Sequence, residues 1–588
     1  MYALGCMSFR SRSHEHQQLV VFWAPFLLLH LGGQDTITAL DMEDNQLWLR
    51  HLLNLVVQTV GVAYVIYKYI AGTSSKTLLR PAVMVLLAGF LKYGDRVWAL
   101  KSSSLDNINK FLNDVERPRV WGALRFQDAQ WIIHSRRRVD SEEVLQGAHD
   151  LLPICMGQLV DYKFWPSPLQ SKAIMLFHEN GCMYELIGMQ LSLMHELLYT
   201  KAAVVHTWSG YFIRAFSLAA IVFAFFQFQF QYSTRKNSVD AILTYILLAG
   251  ALLLEMATVL RAIVSSWTCA LLSARRWHRL HSIALSVQRC IKAAQWTRWS
   301  GSIGQRKLLI LEEESGDGGL FRTRSRKMAS RLMMGLMDFW DKQQKNTQFI
   351  IISKDTKELV LKEILRMVKA CEGNEEVMRT YSGQCALKPY EAFLDDSTPS
   401  TDIDFDNKIV IWHCATQILI LCVQEIRHDT MVEAVGALSS YMMFLLVENP
   451  TILPSPVRSK LYDNVPRVHI PRYHVSSDMK EFIEGVKMMA GDSELSTTLV
   501  RGAELAGRLL EMEEQQEGEM MQVVLGVWVE MMCYAAHNCS RDSHARLLHR
   551  GGEFITIVWL LSTAIFNHYY RDEPWFKERM INFFHEGV

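Results

Sequence analysis

YFIRAFSLAAIVFAFFQFQF (Tyr211–Phe230) and VDAILTYILLAGALLLEMATVL (Val239–Leu260) are two long apolar stretches, and only the eight residues QYSTRKNS separate them. A helix that crosses a bilayer needs about 20 residues, each adding about 1.5 Å of length. Both stretches reach that length, and the connection between them is too short to hold a folded element. The pair therefore predicts a helical hairpin within a membrane.

Earlier apolar segments raise the predicted number of spans to about five. The first of them is short and contains Pro25, so it is either a broken helix or a helix extended by the residues before it. The second is long and has tyrosines near one end. The third carries Lys92, Asp95 and Arg96 in its last part, which we interpret as side chains that snorkel at the membrane edge. These three segments are Leu19–Gly33, Leu52–Ile70 and Leu78–Leu100.

Basic residues near the spans predict their orientation, because Lys and Arg collect on the cytoplasmic side of membranes. Residues 101–138 carry eight of them, and residues 271–298 carry six and no acidic residue. Both ends of the hairpin are therefore predicted to face the cytoplasm, and five spans place the N-terminus on the other side. The basic helix around His278 and His281 is predicted to contact anionic lipids.

Beyond residue 401 the apolar segments have uninterrupted cores of only about 10 to 14 residues, which suit buried core helices better than spans. Few segments anywhere in the chain alternate with the period of a strand. We therefore predict an all-α fold, a multi-pass transmembrane helical bundle with a cytoplasmic all-helical C-terminal domain. The C-terminal apolar segments are Ile409–His428, Met431–Asn449, Val523–Cys539 and Phe554–Phe566.

The same patterns divide the chain into five regions. Residues 1–100 are predicted as N-terminal transmembrane helices, 101–205 as a cytoplasmic helical insert, and 206–270 as the transmembrane hairpin. Residues 271–400 are predicted as a basic helix followed by a mobile linker at Glu312–Lys327, and 401–588 as the C-terminal helical domain.

Composition narrows the range of functions. Among the 588 residues, 61 are Lys or Arg and 61 are Asp or Glu, so a net charge of zero gives no argument for nucleic-acid binding. The 11 cysteines form no CxxC pair. A metal site is allowed by the spacing of four residues, Cys533, His537, Cys539 and His544. They lie on an apolar helix and directly after it, which favours packing in the core. No nucleophile elbow, HExxH motif, dinucleotide fingerprint or kinase set occurs, so we predict neither an enzyme nor a bound cofactor.

Acidic residues give two candidate polar sites in or near the membrane. Asp35, Asp41, Glu43 and Asp44 follow Gly32-Gly33 and could bind a cation at the mouth of the bundle. The alternative is a capped interfacial turn, in which Asp41 or Asp44 caps the next helix. Glu255 lies near the middle of the last span, where a charge is costly, so we predict that it faces the bundle interior. Its predicted partners are Lys92, Arg96 or Arg214.

Two longer stretches resemble a known family. WAPFLLLHLGGQDTITALDMEDNQLWLRH (Trp23–His51) resembles the hallmark of a plant multi-pass membrane family named domain of unknown function 4220. WVEMMCYAAHNCSRDSHARLLHRGGEFITIVWLL (Trp528–Leu561) resembles its companion C-terminal motif, domain of unknown function 594. The resemblance implies a plant origin and a membrane location, and it carries no activity. Family members usually begin with one or two further spans, so it also implies a truncated N-terminus.

Two functional hypotheses follow. The first is a membrane-anchored interaction or scaffold protein, whose partners are the lipid bilayer and proteins bound by the C-terminal domain, with Trp559 as a candidate residue of the interaction surface. The second is a transporter or channel that uses Glu255 and the acidic loop Asp35–Asp44. Neither the organelle nor a solute follows from the sequence.

Overall fold

A computed structural model shows a predominantly helical protein with short strands. It describes residues 21–113, 120–121, 124–125, 139–161, 168–232, 239–291, 299–311, 348–390, 403–423, 429–458, 468–470, 494–515, 520–549 and 551–569, except residues 34, 36, 40, 72–77, 275–276, 373 and 455. The predicted linker at Glu312–Lys327 lies outside these residues. The chain divides into two compact units: unit 1 is Met1–Arg298 with Ala545–Gly551, and unit 2 is Trp299–His544 with Gly552–Val588.

Unit 1 is built from helices, with one antiparallel pair of two-residue strands, β1 (Val120–Trp121) and β2 (Leu124–Arg125). Its helices are α1 (Ala24–Leu31), α2 (Met42–Gln46), α3 (Trp48–Ile66, continued by a π-helical turn Tyr67–Ala71), α4 (Leu79–Ser102), α5 (Leu105–Asn113), α6 (Ser141–Leu159), α7 (Pro168–Glu179), α8 (Met183–Tyr199), α9 (Ala202–Val205), α10 (Trp208–Tyr232), α11 (Val239–Val264), α12 (Ser266–Ala274) and α13 (His278–Ile291).

Helix α4 is the centre of unit 1, since α1, α3 and α10 all pack against it. Small residues on α4 permit this: Gly89 lies against the backbone of Leu28 and Leu29 of α1, where an added Cβ would stand only 3.0 Å from the Leu29 nitrogen. The surrounding core is aromatic and aliphatic. Phe22 and Phe228, for example, are fully buried and stack with ring centroids 6.2 Å apart.

Four helices of the described residues are long and apolar enough to cross a membrane, namely α3 with its π-helical turn, α10, α11 and Thr430–Glu448 in unit 2. In the most apolar 18-residue stretches of α3, α10 and α11, only 17%, 33% and 22% of the stretch is buried. Their large exposed apolar side chains include Leu53, Val57, Val60, Tyr64, Phe212, Phe226, Phe230, Ile246, Leu253 and Ile263. These three helices coincide with the second, fourth and fifth predicted spans.

The other two predicted spans differ from these. Helix α4, the third, is 24 residues long but carries Arg80, Lys92, Asp95, Arg96 and Lys101, and it does not meet the same standard of apolarity. The described part of the first is the eight-residue α1, and residues 1–20, which the sequence offers as its extension, lie outside the described residues.

Unit 2 contains short strand pairs and a helical core. The strands are β3 (Ser302–Gln305), β4 (Leu309–Leu311), β5 (Gln348–Ile351) and β6 (Val468–Ile470), with β3 antiparallel to β5 and β4 parallel to β6. The helices are α14 (Lys354–Ala370), α15 (Val377–Thr380), α16 (Gln384–Leu387), α17 (Phe405–Val423), α18 (Thr430–Glu448), α19 (Glu494–Gln515), α20 (Met520–Asn538), α21 (Arg541–His549, which starts in this unit and ends in unit 1) and α22 (Phe554–Tyr569).

The apolar helices of unit 2 bury their apolar residues inside the unit. The most apolar 18-residue stretch of α18 is 72% buried, although it is apolar enough for a span. Trp412 of α17 and Trp528 of α20 are nearly or fully buried, and the indole nitrogen of Trp528 donates a hydrogen bond to Thr416 Oγ1 at 3.0 Å. Helix α18 ends at Glu448, just before Pro450. These helices have the burial of core helices, as their apolar lengths predict.

Candidate functional site

The candidate site in unit 1 starts from the loop between α1 and α2. Gly33 has a φ of +69°, a conformation that favours glycine, and it turns the chain after α1. The loop then pairs with the end of α8: the Thr38 N–H donates to the Tyr199 carbonyl at 2.8 Å, and the Lys201 N–H donates to the Asp35 carbonyl at 3.1 Å. This pairing brings Asp35 beside Lys201.

Four charged side chains form a buried ionic cluster, which we define as Asp35, Asp95, Lys201 and Arg214. Arg214 Nη2 lies 2.7 Å from Asp35 Oδ2 and 3.7 Å from Asp95 Oδ2, while Lys201 Nζ lies 3.4 Å from Asp35 Oδ1. The Lys201 and Asp95 side chains are 0% and 2% exposed. Two acids thus face two bases, the balance that buried charges require.

Electrostatics within the cluster keeps Asp35 ionised. Burial raises the pKa of Asp35, but the charges of Lys201 and Arg214 outweigh that effect, so the pKa lies below its ordinary value. Burial lowers the pKa of Lys201, against the attraction of Asp35 and Asp95. Because its pKa is lowered, Asp35 is ionised at neutral pH.

Several buried polar atoms of the cluster lack a hydrogen-bond partner within the part of the chain that the structure describes. They are Asp95 Oδ1, Lys201 Nζ, Arg214 Nε and the nearby Thr38 Oγ1 and Arg96 Nε. Buried polar groups in proteins are nearly always hydrogen-bonded. Both acceptor and donor capacity is therefore left over at one place in unit 1, which suits a small polar ligand or an ion.

Glu255 of α11 is 2% exposed, faces the interior, and pairs with Lys92 of α4. The prediction that Glu255 faces the bundle interior agrees with this position, and Lys92 is the partner among the three that the sequence offered. Of the other two, Arg96 donates to the Leu31 and Thr38 carbonyls at 3.3 and 3.1 Å, and Arg214 joins the ionic cluster. Helix α4 therefore supplies Lys92 to Glu255 and Asp95 to the cluster.

The remaining acidic residues of the loop do not join Asp35. Asp41 is exposed and stands at the N-cap position of α2 without a side-chain capping bond, and Glu43 pairs with Arg546 at 2.7 Å on the surface of unit 1. Asp44 lies in the first turn of α2. Among the described residues, no group of three or more His, Cys, Asp or Glu side chains could hold a metal ion. Asp35, which is paired with Lys201 and Arg214, therefore shares no site with Asp41 or Glu43.

Comparison with protein families places these residues in a known group. The Domain of unknown function (DUF4220) matches residues 1–311, more than half of the chain, and the Protein of unknown function, DUF594, matches residues 513–565. The chain belongs to the DUF4220 family. A search of curated proteins and one of solved structures gave no match. The resemblance inferred from the two sequence motifs is therefore confirmed at the level of the family.

The DUF4220 region contains every residue of the ionic cluster and Glu255. Sequence reasoning missed Lys201 and the burial of Asp95, because the contact between Asp35 and Lys201 joins residues far apart in the chain. Asp95 does not snorkel: its residue is only 3% exposed and faces Arg214. One signal was present, since Lys201 is a lone charge within the apolar run LLYTKAAVV (Leu197–Val205).

The DUF594 region contains the Cys and His residues that the sequence assigned to core packing. His537 Nε2 lies 2.9 Å from Ser562 Oγ, and His544 lies 3.0 Å from both Thr556 Oγ1 and the Ala536 carbonyl. Burial lowers the pKa of His537 to about 3 and that of His544 to about 4. Trp559 is 7% exposed and stacks on His544 with ring centroids 4.5 Å apart, so it belongs to the core and not to an exposed surface.

Proposed function

We propose that this DUF4220 protein is an integral membrane protein that anchors a helical domain, unit 2, and offers that domain to protein partners. One observation supports the anchor above all: the described residues leave most of the apolar surface of α3, α10 and α11 uncovered. Soluble proteins rarely expose apolar patches of this extent, whereas lipid tails cover such faces at no cost.

The proposed orientation places unit 2 in the cytoplasm. Its support is the basic residues on both sides of the helical hairpin formed by α10 and α11, six of them between residues 271 and 298 without one acid. Unit 2 follows that basic segment directly in the chain. The proposed protein is therefore multi-pass, with α10 and α11 crossing as a pair.

The proposed partner surface of unit 2 is strand β5. All four of its residues are exposed, and Phe349 and Ile351 are 55% and 77% exposed. Strand β5 pairs with β3 along one edge, and its other edge has no strand partner among the described residues. An exposed apolar edge strand binds an extended segment of a partner by adding a strand to the sheet. This surface replaces Trp559, whose side chain is not accessible.

Affinity capture from membranes tests the interaction function. The full-length chain is compared with Ile351→Lys, which places a charge on the proposed surface, and with Trp559→Ala, which removes a core side chain. We expect Ile351→Lys to lose partners and keep its melting temperature. Trp559→Ala should lower stability by about 3 kcal/mol or more, as truncation of a core aromatic does. An Ile351→Lys protein that retains the whole partner set contradicts the proposal.

Transport is a second candidate, favoured by the buried atoms Asp95 Oδ1 and Lys201 Nζ, which have no hydrogen-bond partner among the described residues. Intramembrane charges mark ion or proton pathways in many transporters. Flux into liposomes tests this function with Glu255→Gln and Asp95→Asn, and with Glu185→Gln, at an exposed position in the first turn of α8, as the matched control. Flux that the first two variants reduce and the control leaves unchanged supports transport. Equal flux in all four proteins argues against it.

A further inference from the structure

Helix α13 presents a continuous apolar stripe that the described residues leave uncovered. Leu280, Ile283 and Val287 are 49%, 61% and 38% exposed, and Cys290 is also exposed. Their spacing of three, four and three residues puts all four on one face of the helix. The opposite side packs on unit 1, where Gln288 is buried. The stripe therefore faces outward along the whole length of α13.

Charge complementarity indicates what covers the stripe. Arg279 and Arg289 are exposed on the polar side of α13, next to Ser282 and Ser286, and the segment 271–298 holds no acidic residue. Arg289 Nε approaches Glu142 Oε1 at 3.9 Å, but its side chain remains 61% exposed. An apolar face bordered by arginines is the pattern of a helix that lies in the interface of an anionic bilayer.

The position of α13 supports the same occupant. It packs against α11, whose exposed apolar residues continue to Leu260 and Ile263 at the end of the helix. Trp277, directly before α13, is 47% exposed, and tryptophan is enriched at membrane interfaces. The exposed apolar residues of the proposed span thus extend to the end of the helix that α13 packs against.

We propose that α13 is an in-plane membrane helix, which inserts Leu280, Ile283 and Val287 between lipids and binds anionic lipid phosphates through Arg279 and Arg289. This inference rests on the proposed membrane anchor. It adds a chemical preference, namely acidic phospholipids, and it makes the surface around α13 a lipid-binding site and not a protein-binding one.

Site-specific thiol labelling tests the proposal, because Cys290 lies on the stripe. The full-length protein is placed, one copy per disc, in nanodiscs of phosphatidylcholine alone or of phosphatidylcholine with phosphatidylserine. A charged, water-soluble maleimide then reacts with it, and mass spectrometry reads the modification of Cys290. Ser282→Cys, on the exposed polar side of the same helix, is the matched control. We expect the labelling rate of Cys290 to be lower by at least about fivefold in the anionic discs. The labelling rate of the control thiol should be equal in both kinds of disc.

The arginine variants complete the test. Arg279→Gln with Arg289→Gln should remove the difference between the two lipid compositions, with an unchanged melting temperature as the check on folding. Equal labelling of Cys290 and the control thiol in both discs overturns the in-plane helix. Protection of Cys290 that is independent of phosphatidylserine and of the arginines overturns the anionic preference, and protection that needs two copies per disc assigns the stripe to a second copy of the chain.

A separate measurement distinguishes this failure from failure of the anchor. Alkaline carbonate extracts proteins that only lie on membranes. A chain that resists extraction while Cys290 labels freely overturns the lipid-binding helix alone. A chain released by carbonate overturns both proposals.

Discussion

Asp35 connects the loop after α1 to the rest of unit 1 through both its backbone and its side chain. Its carbonyl accepts from the Lys201 N–H, and its carboxylate pairs with Lys201 and Arg214. The sequence marks Asp35 as one of four acidic residues near a turn, and nothing local separates it from Asp41. Only the tertiary contact with Lys201 and Arg214 makes the difference, and such long-range contacts leave no periodic pattern in a sequence.

Asp35→Asn should therefore destabilise unit 1 strongly. The substitution leaves two cations, Lys201 and Arg214, with Asp95 as their remaining carboxylate, and breaking a buried ion pair costs about 3 kcal/mol or more. Thermal unfolding of the detergent-solubilised protein measures the loss. Asp41→Asn, at an exposed position without a capping bond, should stay within about 0.5 kcal/mol of the natural chain. Equal stability of the two variants would show that the ionic cluster contributes nothing to the fold.

Unit 2 should lose stability in mild acid because it buries neutral histidines. His413 Nε2 accepts a hydrogen bond from the Leu308 N–H at 3.2 Å, which requires an unprotonated nitrogen. Burial lowers its pKa to about 3, and the pKa of His537 falls to the same value. A histidine in the unfolded chain takes up a proton near pH 6.5. The stabilisation is therefore complete above that pH and declines as the pH falls from about 6.5 towards 3.

Urea unfolding between pH 7 and pH 5 measures this effect. Each such histidine should cost about 1.4 kcal/mol per pH unit below 6.5. In His413→Gln, unfolding should take up about one proton fewer, so the unfolding free energy should depend less steeply on pH. The variant is less stable at pH 7. A slope that the substitution leaves unchanged would mean that His413 is charged in the folded protein.

At the scale of elements, apolar length predicted α3, α10 and α11 and also the core helices of unit 2. Their apolar length makes these elements predictable from the sequence, except that α18 is apolar enough for a span and is nevertheless buried in unit 2. Helix α4 is harder to assign from the sequence, since it combines the length of a span with Lys92, Asp95 and Arg96. Its charges become acceptable only through Glu255, Arg214 and the loop carbonyls, which belong to other elements.

The contact between α1 and α4 depends on Gly89. Gly89→Val would drive a side chain into the backbone of Leu28 and Leu29, so the helices must separate, at a cost of about 1–3 kcal/mol. Gly250→Ala in α11 is the matched control, because an added Cβ there meets no atom within 4 Å. We expect the control to be neutral or slightly stabilising, since alanine favours helices. Thermal unfolding in detergent separates the two, and an equally stable Gly89→Val would refute this account of the helix pair.

At the scale of the whole molecule, the sequence predicted a helical fold with a membrane-type region and a separate C-terminal helical region. It did not predict that residues 545–551 belong to unit 1, whose other residues end at Arg298. Two contacts show why: the Tyr199 hydroxyl donates to the Ala545 carbonyl across 346 residues, and Arg546 donates to Glu43 across 503. Composition can assign a segment to a class of structure, but not to one of two units of the same class.

The proposed topology makes a prediction about glycosylation. Asn538-Cys539-Ser540 is the one acceptor sequence in the chain, and Asn538 is exposed at the end of α20. Oligosaccharide is transferred only on the side of the membrane opposite the cytoplasm.

If both ends of the α10–α11 hairpin are cytoplasmic, Asn538 stays unmodified in the full-length protein. An acceptor cassette inserted after Lys236, in the connection between the two helices, becomes glycosylated. A glycosidase-sensitive shift in gel mobility reads both sites in one experiment. Modification of Asn538 would contradict the proposed cytoplasmic position of unit 2, and an unmodified cassette would contradict the proposed orientation of the hairpin.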